Sequence, residues 1–173
     1  MRHADTLDGL CGLLAEVGAM SVRSGLVLAS GGNLSARLPG GREFVVTGAG
    51  TWLDRLTRED FSTVRLSDGA RVSGAAEPST EWKLHWRTYQ ARPDANAIVH
   101  LHPQHAVLVD ALGEEIRLVT LDHAVYVRSV GHVPYLPNGS DALASSAAEV
   151  AAEHDVMVLA HHGCSALGHS NAM

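Results

Sequence analysis

Ala97-Ile98-Val99-His100-Leu101-His102-Pro103 is an apolar stretch that ends in two histidines one residue apart. Side chains of a β-strand alternate between its two faces, so in a strand the imidazoles of His100 and His102 point in the same direction. Two imidazoles held side by side form part of a metal site. The stretch therefore predicts a buried strand that carries two metal ligands at its end.

A second pair of histidines, His161 and His162, follows another apolar run at residues 156–160. Functional sites of α/β folds lie at strand ends, and a third imidazole from this pair would give a site of three nitrogens. Catalytic zinc has three protein ligands and an open position, whereas structural zinc is enclosed by protein ligands. Spacing alone leaves a second interpretation open, in which these are surface histidines or hydrogen-bonded core histidines.

The composition predicts a single globular domain. The chain has 173 residues, of which 46% are hydrophobic, and this is enough for one core. Its formal charge of -6 disfavours nucleic acid and anionic membranes as partners, and no stretch approaches the roughly 18 apolar residues of a membrane span. The two cysteines, Cys11 and Cys164, offer no disulfide framework. We therefore expect a cytoplasmic protein.

Hydrophobic periodicity and turn residues predict alternating helices and strands, which indicates an α/β domain of three layers. The helix before the histidine strand is expected to begin at a Ser79 or Thr80 cap. The chain stops at residues 170–173, where a further helix is expected, so we expect its C-terminal end to be incomplete. Helices are predicted at about 5–22, 80–91, 104–111 and 140–153, and strands at about 33–37, 43–47, 62–66, 70–73, 97–102, 116–121 and 156–160.

Four segments together resemble the class II aldolase/adducin family. They are GNLSAR at 32–37, PSTEW at 78–82, RPDANAIVHLH at 92–102 and HHG at 161–163. The resemblance extends over nearly the whole chain and implies one domain over residues 1–173. It also implies a three-layer αβα fold around a central mixed, largely antiparallel sheet.

The resemblance implies a metal centre and a catalytic carboxylate. It makes His100, His102 and His162 the ligands of Zn²⁺, and three imidazoles also accept Mn²⁺ or Co²⁺. His162 is chosen over His161 because the ligand of the family directly precedes a glycine. Glu81 becomes the acid/base that moves a proton on the substrate, while the metal acts as a Lewis acid on the substrate carbonyl.

The resemblance also implies a phosphate site without a lysine. The glycine-rich loop of this chain reads Thr-Gly-Ala-Gly at 47–50, where the family usually has Thr-Pro-Ser/Thr-Gly, so phosphate binding is expected to be weakened or altered. The double glycine at 31–32 is interpreted by itself as a tight turn rather than as an anion site. The phosphate-binding residues implied by the resemblance are Asn33, Ala49, Gly50, Ser79 and Thr80.

The remaining parts of the implied site involve a neighbouring subunit. Members of the family typically form cyclic homotetramers with the site at the subunit interface. Aldolases of the family take a proton from a tyrosine of the neighbouring subunit, and the corresponding region of this chain offers His123 or Tyr126.

The resemblance leaves more than one function open. The first hypothesis is a zinc-dependent aldolase that cleaves a sugar phosphate, such as a ketose 1-phosphate, into dihydroxyacetone phosphate and an aldehyde. An alternative is a decarboxylase or dehydratase of a sugar-acid or thiosugar phosphate. Glu81 disfavours the epimerase branch, where an aspartate is typical. A non-catalytic interaction domain like adducin is disfavoured because this chain keeps the three histidines.

Overall fold

A computed structural model describes residues 6–169 of the chain. Its strands are β1 Asn33–Arg37, β2 Glu43–Thr47, β3 Phe61–Arg65, β4 Arg71–Gly74, β5 Ala97–Leu101, β6 Val130–Val133, β7 Val156–Leu159 and β8 Gly163–Gly168. They form one sheet of eight strands in the order β4-β3-β2-β1-β5-β8-β7-β6. Neighbouring strands run antiparallel except β6 and β7, which run parallel. The prediction of a mixed, largely antiparallel sheet is confirmed.

Helices cover both faces of this sheet. They are α1 Leu7–Arg23, α2 Trp82–Ala91, α3 Gln104–Ala111 and α4 Asp141–Ala151, with a 3-10 turn at Arg58–Asp60 and a π-helical turn at His123–Val127. Phe44 and Val46 of β2 pack in the core under α2 and α4. Val45, which lies between them, points to the opposite face and packs in the core under α1. The period of two thus separates the two cores of a three-layer αβα domain.

Local sequence explains where the long helices begin. Thr6 caps α1 by accepting a hydrogen bond from the N–H of Gly9, and Ser140 caps α4 in the same way. The predicted cap of α2 at Ser79 or Thr80 is wrong, since Glu81 occupies the cap position. The side chain of Ser79 accepts from the N–H of Glu81, so Ser79 shapes the turn that leads into the helix.

The strand predicted at residues 116–121 is wrong. This segment pairs with no strand among the described residues, and Val119 and Leu121 are exposed. Strands β6 and β8 were not predicted. In β8 only alternate residues are buried, and most of its side chains are small, so its hydrophobic pattern is weak.

The ends of the chain bear on two further expectations. The predicted start of the first helix at Asp5 and the expected element beyond Ser170 lie outside the described residues. Within residues 6–169, no helix combines the length and the apolarity that a membrane span requires.

Two glycines of α1 give a matched test of the packing of this helix. Gly12 is exposed, and a Cβ there meets no atom within 4 Å, whereas a Cβ on Gly18 would lie 2.4 Å from the carbonyl oxygen of Leu53. We expect Gly12→Ala to raise the free energy of unfolding by roughly 0.5–1 kcal/mol through helix propensity. We expect Gly18→Ala to lower it, because the loop at Leu53 must move away from the helix. Urea unfolding of both variants measures the two free energies of unfolding. Equal changes in the two variants would contradict the close approach of Leu53 to Gly18.

Candidate active site

The site is built on one row of side chains that crosses three strands. The backbone register places Asn33 of β1 opposite His100 of β5, and His100 opposite Ser165 of β8. His100 is completely buried, and its Nδ1 lies 3.0 Å from the hydroxyl oxygen of Ser165. A hydrogen bond at Nδ1 fixes the ring and leaves Nε2 free to bind a ligand, as in many metal sites.

Two more imidazoles meet His100 at this point. His102 lies just beyond the end of β5, and its Nε2 is 3.1 Å from Nε2 of His100. His162 lies in the turn between β7 and β8. The ring centroids of the three histidines are 4.9–5.1 Å apart. The prediction that these histidines converge is therefore confirmed by the geometry.

Glycines make this close approach possible. A Cβ on Gly163 would lie 2.4 Å from the carbonyl oxygen of Leu101 and 2.7 Å from the His102 ring. Gly32 has a φ of 73°, and a Cβ there would lie 2.7 Å from the carbonyl oxygen of His100. The N–H of Gly31 donates to Leu28 across a tight turn, as predicted for the double glycine.

Glu81 completes the group from the start of α2. Its Oε2 lies 3.2 Å from Nε2 of His100, and its Oε1 lies 3.2 Å from Nε2 of His162. One ligand atom from each of Glu81, His100, His102 and His162 lies within 4.8 Å of the others. Oε1 of Glu81 is buried and has no hydrogen-bond partner in the part of the chain that the structure describes.

The four side chains fit a divalent cation. Ligand atoms about 2.0–2.1 Å from a tetrahedral ion are about 3.3 Å from one another. The distances from His100 to His102, from Glu81 to His100 and from Glu81 to His162 are close to this value, at 3.1, 3.2 and 3.2 Å. Burial favours a higher pKa for Glu81, but His100, His162 and Asn33 outweigh it and lower the pKa to about 2. Burial and neighbouring histidines lower the pKa of His102 to about 4. An ionised carboxylate and neutral imidazoles are the forms that bind metal, and a cation would satisfy the unpaired Oε1.

The adjacent His161 points away from this group. Its backbone is left-handed, with a φ of 56°, and its N–H donates to Asp110 of α3. Its side chain is 60% exposed, and its ring lies beside that of Tyr135. The left-handed residue thus turns the two histidines in different directions, and only His162 joins the group.

The predicted phosphate ligands are not equally available. Asn33 is buried and donates one Nδ2 hydrogen to Oε2 of Glu81, which leaves its second Nδ2 hydrogen. Ser79 is buried, and Thr80 is exposed. The N–H of Ala49 already donates to the carbonyl of Glu77, so it is not free to bind an anion as predicted. The N–H of Gly50 donates to no group within residues 6–169.

The predicted proton donors lie outside the group of four. His123 and Tyr126 belong to the π-helical turn, and Tyr126 is 77% exposed. Because the resemblance places such a donor on a neighbouring subunit, a single chain does not test this prediction.

An open pocket of about 460 Å³ adjoins the metal-binding group on the side of α3. His102 and His162 form part of its wall, and the rest of the lining is mostly apolar. The remaining lining residues are Leu28, Gln104, Val107, Leu108 and Ala111.

Sequence reasoning missed the polar residues behind Asn33. His85 is fully buried, with Nε2 bonded to Oδ1 of Asn33 and Nδ1 2.6 Å from the hydroxyl oxygen of Ser35. Ser35 in turn lies 2.8 Å from the hydroxyl oxygen of Tyr89. The sequence held one signal for the involvement of His85. It follows Glu81 by four residues, and residues four apart lie on the same side of a helix.

The comparisons with known proteins identify the family of the chain. Residues 12–172 match the family model of the class II aldolase and adducin N-terminal domain. The matched segment spans nearly the whole chain and includes the four site residues. The chain therefore belongs to the class II aldolase and adducin family.

Individual relatives place the chain near the aldolases of this family. It is 34% identical over 142 residues to an L-fuculose phosphate aldolase of Methanococcus maripaludis, which covers 82% of this chain and 75% of the relative. It is 30% identical to a 5-methylthioribulose-1-phosphate/5-deoxyribulose-1-phosphate aldolase of Escherichia coli, over 83% of this chain and 66% of the relative. The solved structure of YgbL from Klebsiella pneumoniae, a candidate aldolase, epimerase or decarboxylase, superposes with a TM-score of 0.88 at 32% identity, over 95% of this chain and 81% of that one.

Metal content of variants tests the composition of the site. We expect His162→Ala to lose bound zinc after dialysis, because one of the converging nitrogens is removed. His161→Ala should keep about one equivalent, because the His161 ring lies outside the group. Elemental analysis of the two purified variants measures their zinc content. Loss of zinc only in His161→Ala would contradict the geometry of the site.

Acid should destabilise the chain through His85. Burial lowers the pKa of His85 from 6.5 to about 3, so below pH 6.5 the unfolded chain takes up a proton that the folded chain does not. The free energy of unfolding should therefore fall as the pH drops from 6.5 towards 3, by up to about 1.4 kcal/mol per pH unit from this residue. Urea unfolding in chelator between pH 7 and pH 4.5 measures the slope. His85→Gln should show a smaller slope, and an unchanged slope would contradict the assignment.

Proposed function

We propose that this chain is a divalent-metal-dependent aldolase that cleaves a ketose 1-phosphate into dihydroxyacetone phosphate and an aldehyde. The observation that carries the proposal is the buried carboxylate of Glu81 facing three converging imidazoles, with its Oε1 unpaired among the described residues. Membership of the family and similarity to two sugar-phosphate aldolases support it.

His100, His102 and His162 are the proposed ligands of the metal, with zinc as the expected ion. Bound there, the ion supplies Lewis acidity to the carbonyl of the substrate. Carbon–carbon cleavage of a ketose 1-phosphate removes a proton from the C4 hydroxyl, breaks the C3–C4 bond and adds a proton to C3. We assign the proton transfer at C3 to Glu81. Its carboxylate, held ionised beside the proposed metal ligands, removes the C3 proton in the direction of aldol addition, and its protonated form returns that proton in cleavage.

The two ends of the substrate are assigned to different sides of the site. The hydroxyls of Ser79 and Thr80, the second Nδ2 hydrogen of Asn33 and the N–H of Gly50 are the proposed phosphate donors. The apolar pocket beside His102 and His162 would receive the aldehyde end. An apolar wall favours an aldehyde with a methyl or thioether end over one that ends in a hydroxyl.

The second candidate function keeps the metal and changes the reaction. YgbL, a structural neighbour, is a candidate aldolase, epimerase or decarboxylase. A decarboxylase or dehydratase of a sugar-acid or thiosugar phosphate would use the same ligands and the same carboxylate. The homotetramer and proton donation by His123 or Tyr126 stay predictions of the resemblance, and the cytoplasmic location stays a prediction from the composition.

A substrate panel with matched variants tests the proposal. The zinc-loaded protein is incubated with L-fuculose 1-phosphate, 5-deoxyribulose 1-phosphate and 5-methylthioribulose 1-phosphate, and dihydroxyacetone phosphate is measured by a coupled assay. We expect chelator-sensitive release from at least one of them. Glu81→Gln should lower kcat by roughly 100-fold or more, since general acid–base catalysis contributes that much.

Glu77→Gln is the control, because this side chain lies on the surface beside Arg71, 78% exposed, and should leave the rate unchanged. Release from none of the three substrates would overturn the aldolase assignment. Carbon dioxide release from sugar-acid phosphates would then favour the decarboxylase.

A further inference from the structure

A continuous chain of hydrogen bonds runs from Glu81 into the interior of the protein. Oε2 of Glu81 is 2.9 Å from Nδ2 of Asn33, whose Oδ1 bonds to Nε2 of His85. Nδ1 of His85 is 2.6 Å from Ser35, which is 2.8 Å from the hydroxyl of Tyr89. All five residues are at most 4% exposed. These hydrogen bonds join α2 to β1 on the face of the sheet that carries the site.

The chemistry of the groups fixes the direction of every bond. An ionised carboxylate only accepts, so the NH₂ of Asn33 faces Glu81 and its carbonyl oxygen faces His85. That oxygen also only accepts, so Nε2 of His85 carries the proton. A neutral imidazole has one N–H, so Nδ1 accepts from the hydroxyl of Ser35, and Ser35 accepts from the hydroxyl of Tyr89.

The neutral states that this order needs are favoured by burial. Burial lowers the pKa of His85 to about 3, and burial raises the pKa of Tyr89. At neutral pH the imidazole of His85 is therefore uncharged, and Tyr89 keeps its hydroxyl hydrogen. Each group therefore donates one hydrogen bond to the next, in the order Tyr89, Ser35, His85, Asn33, Glu81. This set of donors gives every group in the series a partner.

We propose that His85 is a positioning residue, whose Nε2–H orients the amide of Asn33 and, through it, the carboxylate of Glu81. This inference rests on the proposed function for its effect on catalysis. Without the Nε2–H donor, the carbonyl oxygen of Asn33 is buried without a partner, and the hydrogen bond to Glu81 is the one that still holds the amide. An amide held at one end instead of two tilts more freely, and the carboxylate of Glu81 loses its fixed partner. The second Nδ2 hydrogen, which is the proposed phosphate donor, is then misdirected as well.

Two substitutions separate this role from simple packing. His85→Phe keeps a flat ring of similar size and removes both nitrogens, whereas His85→Gln keeps an amide N–H near the position of Nε2. On the zinc-loaded protein with L-fuculose 1-phosphate, we expect His85→Phe to lower kcat by roughly 10- to 100-fold and to raise KM. We expect His85→Gln to recover most of kcat. Both variants should keep the metal content of the parent protein.

Thr88→Val is the matched control, because Thr88 is equally buried in α2 and its hydroxyl has no partner among the described residues. It should leave kcat and KM unchanged. Equal losses in His85→Phe and His85→Gln would overturn the positioning role.

A second measurement does not depend on activity. Nitrogen-15 spectra of the zinc-loaded protein labelled at histidine report which ring nitrogen carries the proton, and the resonances missing from His85→Gln identify His85. We expect a protonated Nε2 and an unprotonated Nδ1 that stay unchanged from pH 7 to pH 5.5. A protonated Nδ1 or a cationic ring would overturn the inference. If the parent protein cleaves none of the ketose phosphates but shows the Nε2–H form, the proposed function fails. The inference that His85 orients Asn33 and Glu81 then still stands.

Discussion

The register of β5 between β1 and β8 is the constraint on which the site depends. It places His100 between Asn33 and Ser165, so the His100 ring has a hydrogen-bond partner on one side and the carboxylate network on the other. A slip of one residue would move every side chain of β5 to the opposite face. Ile98 and His100 would then face α1, away from Glu81. The apolar residues of β5 therefore fix the metal site as much as its histidines do.

The second requirement is electrostatic. The interior around Asn33 holds an ionised carboxylate and several neutral imidazoles, and each costs free energy if it is left without a partner. Hydrogen bonds satisfy His85, Asn33 and one oxygen of Glu81, and a bound cation would satisfy the other oxygen. Binding of a cation at this site would therefore be linked to folding, because the same groups are exposed and hydrated in the unfolded chain. This explains how a site so rich in polar groups is compatible with a stable core.

Local patterns predicted part of this structure, and the rest depended on contacts between distant residues. The period of two placed His100 and His102 on one face, and hydrophobic periodicity predicted the helix that precedes their strand. The strand end before His161 and His162 pointed to a third imidazole from this pair. The choice of His162 and the role of Glu81 came only from the resemblance to a family, since no local pattern joins them to β5. The role of His85 was not predicted, because its partner Ser35 is 50 residues away. The apolar run at 116–121 was predicted as a strand, although no strand pairs with it in the described residues.

The central claim is that three imidazoles from two strand ends hold one divalent cation beside Glu81. Anomalous diffraction at the zinc edge, from crystals of the zinc-loaded protein, tests it most directly. The account predicts one principal peak, roughly 2.0–2.2 Å from Nε2 of His100, His102 and His162. A principal peak on His161 or elsewhere, with none within bonding distance of these three nitrogens, would contradict it.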